Sequence, residues 1–182
     1  MVSWGKENVI LVKPDASFAG EISSYREEML LAGSSMDGTG ALRRLEDPME
    51  WLKINAMMEN PATVPENKVP ATQFVLTDTD SRRIYGMLQV RHELNAYLHN
   101  FAGHIGYSVR PTERRKGYAK RMLKLALKYC KEILGLKRVL ISCLVANEAS
   151  RRTILSCGGV FFERVYEPIE NVWLEKYWIS LE

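Results

Sequence analysis

A chain of 182 residues, 46% hydrophobic and 26% charged, has the composition of one soluble globular domain and is long enough to bury a substantial core. Its net charge of +3 is small and concentrated locally, which suits a small polyanion better than a nucleic-acid track, so no nucleic-acid partner is expected and an RNA-associated basic module is the weaker alternative. No apolar run reaches membrane-spanning length, Met1 to Glu7 has no signal-peptide core, and Cys130, Cys143 and Cys157 form no Cys-x-x-Cys pair, so a reduced, cytoplasmic protein without a membrane partner is expected.

Val9 to Val12 is a short apolar run, predicted as a buried strand closed by Pro14. Asp15 is placed to cap a helix that carries Phe18, Ile22, Tyr25 and Met29 on one face and stops near Gly33. Gly33 to Gly40 is a loop by composition. Gly33 and Gly38 have Walker-like spacing, but Thr39-Gly40 stands where a nucleotide loop needs its lysine. Asp47-Pro48-Met49-Glu50 starts a second helix, which carries Trp51, Leu52 and Met58 and ends at Asn60-Pro61.

Residues 61 to 70 hold Pro61, Pro65 and Pro70 and form a surface linker inside one domain. Gln73 to Thr77 and Ile84 to Arg91 read as two strands joined by the hairpin loop Asp78-Thr79-Asp80-Ser81. A polar loop is expected from Glu93 to Gly103. The next strand alternates Gly103, Ile105, Tyr107 and Val109 on one face with His104, Gly106, Ser108 and Arg110 on the other, and ends at Pro111. A helix follows with Ala119, Met122, Leu123, Ala126, Cys130, Ile133 and Leu134 at helical spacing, stopped by Gly135. Val139 to Cys143, a short helix capped by Asn147, Val160 to Tyr166, and Val172 to Ser180 complete the chain. The order β-α-α-β-β-β-α-β-α-β-β predicts an α/β fold, with a mixed sheet whose crossover around 104 to 143 requires a parallel strand pair.

Chemistry concentrates between the central strand and its helix. Arg114, Arg115, Lys116, Lys120 and Arg121 cluster where a helix N-terminus already carries partial positive charge, an unfavourable placement unless an anion is present. Gly117 lets the backbone approach a ligand that a Cβ would block. These residues describe a diphosphate site. There is no Gly-x-Gly-x-x-Gly and no Gly-Lys-Ser/Thr here. Instead, Arg114-x-x-Gly117-x-Ala119 directly after the strand resembles the coenzyme A signature of the GNAT superfamily of N-acetyltransferases.

A second segment supports that resemblance: Asn147-Glu148-Ala149-Ser150-Arg151-Arg152, followed by Gly158-Gly159-Val160-Phe161, is similar to the superfamily's Asn-initiated helix leading into the next strand. Gly103-His104-Ile105-Gly106-Tyr107 and Lys176-Tyr177-Trp178-Ile179 resemble a bacterial branch of acetyltransferases. The resemblance implies a single GNAT-like acetyltransferase domain over residues 1–182, with a mixed central sheet flanked by helices and acetyl-CoA as cofactor. It also implies that backbone N–H groups of Arg115, Lys116, Gly117, Tyr118 and Ala119 hold the diphosphate, that Arg114 belongs to the same signature, and that the strand edge at Val109 pairs with the pantetheine arm. Asn147 would bind the pantetheine amide besides capping its helix, and Arg151 either reaches the adenosine phosphate or is solvated.

The catalytic groups are less regular. The superfamily's tyrosine acid, seven residues after the asparagine, falls on Ile154, and Gly103 stands near the place of its strand glutamate. His92 and Glu93, at a strand end, are candidates for amine deprotonation, set against simple solvation. Tyr107 is the candidate for steadying the acetyl group or donating to the thiolate, set against packing in the sheet. The three histidines share no metal-ligand spacing, so no metal is expected. The expected reaction is direct acetyl transfer to an amine of a small molecule or peptide. The alternative is an acyl-CoA-binding regulatory module without turnover, and a homodimer is left open.

Overall fold

The computed structural model describes residues 9–182, so the Met1 to Glu7 stretch read for a signal peptide lies outside them. The elements are β1 (Val9–Val12), a 3₁₀ turn (Ala16–Phe18) running into α1 (Ala19–Leu31), α2 (Pro48–Glu59), β2 (Ala71–Asp78), β3 (Ile84–Arg91), β4 (Ile105–Val109), α3 (Tyr118–Glu132), β5 (Arg138–Leu144), α4 (Glu148–Ser156), β6 (Gly159–Glu167) and β7 (Val172–Ser180). This is the predicted α/β order. The helix starts follow from their caps: Asp15 accepts from Ser17 N–H, Asp47 from Met49 N–H ahead of Pro48, and Asn147 from Ser150 N–H. No helix among the described residues is long and apolar enough to cross a membrane.

Two antiparallel sheets carry the fold, one ordered β1-β2-β3-β4 and the other β5-β7-β6. Strands β2 and β3 are buried on both faces because helices cover both. Val75, Ile84 and Met87 pack with Ile22, Tyr25 and Met29 of α1 and Trp51 of α2. Leu76, Leu88 and Val90 pack on the other side with Met122, Leu123 and Ala126 of α3. β1 is an edge strand with Ile10 exposed, not the buried strand its apolar run suggests.

The expected parallel pair is not laddered among the described residues. β4 and β5 meet at one isolated bridge, Gly103 to Ile141, and beyond it the cavity described below is lined by both. The junction is held by His104, whose N–H donates to Leu140 O at 2.7 Å while its Nδ1 accepts from Leu140 N–H at 3.0 Å. A side chain therefore takes the place of the next backbone acceptor, and the ladder stops. The 93 to 103 loop also differs from expectation in containing a π-helical turn, Leu98–Ala102.

Candidate active site

β4 and β5 are both edge strands, and their register shows which backbone groups face the gap between them. Arg91 N–H donates to His104 O at 2.8 Å, and Arg110 N–H to Tyr85 O at 2.9 Å. With unbroken antiparallel register between them, alternation turns the N–H and C=O groups of Ile105, Tyr107 and Val109 away from β3. The same alternation on β5, fixed by Leu181 N–H to Lys137 O and Val145 N–H to Trp173 O, turns Ser142 and Leu144 away from β7. Two rows of outward peptide groups thus border one cavity of about 1070 Å³.

At one end of the cavity lies the basic turn. Pro111–Glu113 forms a 3₁₀ turn, Arg115 has φ of 62° and Gly117 φ of 82°, and α3 begins at Tyr118 with no side-chain cap. A 15-residue helix whose first turn lacks a cap leaves backbone donors for a ligand. Nothing lies within 4 Å of where a Gly117 Cβ would stand, so the space above the turn is open. The turn is anchored from below. Tyr118 stacks on Tyr85 with ring centroids 4.8 Å apart, and buried Glu113 receives Arg83 Nε at 3.1 Å and Lys116 Nζ at 2.8 Å. An anionic diphosphate fits this cradle of donors and positive charge.

The expected binding residues divide into those that reach the cavity and those that do not. Val109, Arg114, Arg115, Gly117, Tyr118, Ala119 and Asn147 line it. Arg114 lies along the cleft, its Nε on Val109 O at 3.2 Å and its Nη2 on Ser34 Oγ at 2.7 Å. Lys116 is not among the lining residues, and its ammonium lies 2.8 Å from Glu113 Oε2. Arg151 does not line the cavity. Its Nε donates to Glu175 at 2.7 Å and its Nη2 bonds Val145 O, which makes it a brace between α4 and β7. Glu175 is drawn down to about 2 by its hydrogen bonds from Tyr177 and Arg164 and by Arg151.

Of the catalytic candidates, Tyr107 reaches the cavity and the pair His92-Glu93 does not. His92 turns to the opposite face, where its Nε2 lies 2.8 Å from Thr72 Oγ1, and Glu93 is exposed. The strand neighbour with opposite parity, Arg91, faces the cavity in their place. Tyr107 extends from β4 to the first turn of α4, its hydroxyl 2.8 Å from Ser150 Oγ, and burial pushes its pKa up to about 12.

The other end of the cavity is walled by the α1–α2 loop, the π-helical turn and the β6–β7 turn, which bring Asp37, Tyr97, Glu167 and Glu170 to the lining beside Arg91 at the end of β3. None of these was singled out from the sequence. The α1–α2 loop reaches β4 because Gly38 and Gly106 carry no side chains: a Cβ on Gly38 would stand 2.1 Å from Gly106 O. Two glycines at unrelated positions give no local signal of that approach.

The model of the acetyltransferase (GNAT) domain matches residues 36–160, which contain both edge strands, the basic turn and the Asn147 cap. The chain belongs to the GNAT acetyltransferase family. Its fold is similar to that of ribosomal-protein-S5-alanine acetyltransferase from Vibrio fischeri, with a TM-score of 0.74 and 19% identity over 100% of this chain and 98% of the other. It is also similar to spermidine N-acetyltransferase from Vibrio cholerae, a dodecamer in that structure, with a TM-score of 0.66 and 16% identity over 97% and 95%. No curated protein sequence matches this GNAT chain.

Proposed function

We propose that this GNAT protein transfers an acetyl group from acetyl-CoA directly to an amine of a small molecule or peptide, without an acyl-enzyme. The observation that carries this reading is the outward N–H row of β4 running from Tyr107 to Val109 toward the uncapped N-terminus of α3. Acetyl-CoA, when bound, supplies the acetyl group as an activated thioester. The backbone of residues 115–119 and the side chains of Arg114 and Arg115 would hold its diphosphate, and the β4 edge and Asn147 its pantetheine arm.

The N–H of Val109 is then placed to meet negative charge developing on the acetyl oxygen, a fixed donor in a half-buried cleft. The Tyr107 hydroxyl, steadied by Ser150, stands on the same strand face two residues away and supplies the proton for the departing thiolate. An amine with a free pKa of about 10 must lose its proton before it attacks. His92 is turned to Thr72 and takes no part in that step. The carboxylates at the acceptor end are those of Asp37, Glu167 and Glu170. Three free thiols, Cys130, Cys143 and Cys157, suit a reducing, cytoplasmic setting.

The rival reading, an acyl-CoA-binding regulatory module, draws on one observation: Ile154, where the family tyrosine is expected, is fully buried in the core and offers no acid. Incubation with acetyl-CoA and a panel of polyamines, amino acids, aminoglycosides and peptides separates the two. Thiol release stimulated by an acceptor, with the acetylated product seen by mass, is the expected result. Tight coenzyme A binding with no stimulated release across the panel would favour the regulatory module.

A further inference from the structure

Arg91 ends β3, and its side chain passes beneath β4 at Gly106, where no side chain stands in the way. Its Nη2 lies 3.7 Å from the position a Gly106 Cβ would occupy. Its Nη1 donates to Gly103 O at 3.0 Å, the only hydrogen bond of this side chain among the described residues. None of the ion pairs among the described residues involves it. A guanidinium has five N–H donors, so most of those of Arg91, a residue of the cavity lining, have no hydrogen-bond partner among the described residues. Burial lowers the pKa of Arg91, with Asp37 and Tyr97 opposing that shift. Tyr97 in turn has its pKa raised by burial and by Glu167 and Glu170, and lowered by Arg91. That end of the cavity therefore holds the carboxylates of Asp37 on the α1–α2 loop and of Glu170 on the β6–β7 turn, with Glu167 behind them accepting from Ile169 and Glu170 N–H, and a partly desolvated, fork-shaped cation.

We propose that Arg91 recognises an oxygen adjacent to the reacting amine, so that the acceptor is an amino acid or a peptide N-terminus and not a plain polyamine. This rests on the acetyl-transfer reading above. The carboxylates attract the ammonium, and the guanidinium fork takes the carbonyl or carboxylate oxygen one carbon away. A polyamine carries no such oxygen. It would leave the desolvated guanidinium without a partner and add like charge beside it. A site built to hydrogen-bond a substrate group rejects an analogue lacking that group far more strongly than an apolar site can.

The test compares glycinamide, glycine, ethylamine and spermidine as acceptors for the parent protein and for Arg91→Met and Arg91→Lys. The parent should prefer glycinamide or glycine over ethylamine in kcat/KM, and the better of the two tells a carbonyl from a carboxylate. Arg91→Met should shrink that preference tenfold or more, chiefly through KM, with Arg91→Lys in between. Comparing one ratio across variants cancels the amines' own basicities. If Arg91 only props up Gly103 O, all acceptors fall together and the ratio stays put, which overturns the proposal, as does a parent enzyme that prefers spermidine.

A second measurement needs no turnover: the melting shift that glycinamide or glycine adds to the coenzyme A-loaded protein. That shift should be present in the parent and lost in Arg91→Met, and its absence in the parent overturns the proposal. A protein that takes up no coenzyme A at all removes the acetyl-transfer reading itself, a failure distinguishable from loss of the amino-acid arm alone.

Discussion

The hydroxyl of Tyr107, on the edge of one sheet, lies 2.8 Å from Oγ of Ser150 in the first turn of α4. The contact spans the cleft and puts a phenol beside the helix whose own position 154 holds a buried isoleucine. A phenol is protonated at neutral pH at its ordinary pKa of about 10, and burial pushes this one further up, to about 12. Tyr107→Phe should lower kcat by about a hundredfold, the low end of the range for general acids because a thiolate leaves readily. Ser150→Ala should act in the same direction and less strongly. Steady-state kinetics with coenzyme A affinity measured in parallel checks this. Unchanged kcat in Tyr107→Phe would leave Tyr107 a packing residue.

Gly117 combines a left-handed backbone with open space above it. Alanine there costs about 1 kcal/mol of stability from the positive φ alone, since its methyl group meets nothing in the chain. Gly117→Glu adds bulk and a negative charge where the diphosphate would sit. Coenzyme A should raise the melting temperature of the parent by mass action, and Gly117→Glu should abolish that shift while still folding. A retained shift would sink the assignment of the turn.

How much of this was legible follows from how local each signal is. The caps at Asp15, Asp47 and Asn147 and the period of α3 through Cys130 are local chemistry and stand where the residues put them, whereas α3 ends at Glu132, ahead of the expected stop at Gly135, and leaves Ile133 exposed. The basic turn was legible because charge against the helix dipole is itself an anomaly. Register was not. Whether His92 or Arg91 faces the cleft depends on which β3–β4 pairs exchange hydrogen bonds, and a shift of one residue exchanges the faces. At the far end of the cavity the loops that would build it, the one after α1 and the 93 to 103 segment, were legible, but the residues they present were not: Asp37 reaches the lining through an approach of Gly38 to Gly106, two glycines far apart in sequence. The ion pairs that Lys116 and Arg151 make with Glu113 and Glu175 were not legible either, since those partners are set by the fold and not by spacing.

Gly103 is where the two sheets touch before the cleft opens. It has φ of 76°, and a Cβ there would stand 2.3 Å from Leu140 O and 3.1 Å from Ile141 Cα. Both neighbours are backbone and neither can swing aside. Gly103→Ala should therefore destabilise the protein by about 3 kcal/mol or more, in the upper part of the range for point substitutions. For a chain of this size that is a fall in Tm of roughly 6 to 12 °C. A fall of only a degree or two would mean that the sheets are not locked at this residue.

His104 gives the junction a pH dependence whose sign can be worked out. Its ring is buried and its pKa is lowered from 6.5 to about 4, by desolvation first and by the nearby positive charge of Arg91 and His99. Nδ1 accepts the Leu140 N–H, so it carries no proton in the fold. In the unfolded chain the imidazole protonates below its ordinary pKa, while in the folded chain it stays neutral until about pH 4. The unfolded state thus binds more protons in that window, and stability falls as the pH drops. The contribution is fully present above pH 6.5 and lost between 6.5 and about 4, a total of about 3 kcal/mol at ~1.4 kcal/mol per pKa unit. Urea unfolding at intervals from pH 7.5 to 4.5 should show that decline. His104→Gln keeps an acceptor for Leu140 without a titrating group in this range, and should flatten the His104 part of the curve even where its stability at pH 7.5 is lower. Parallel curves for the two proteins would show that His104 is not the titrating group.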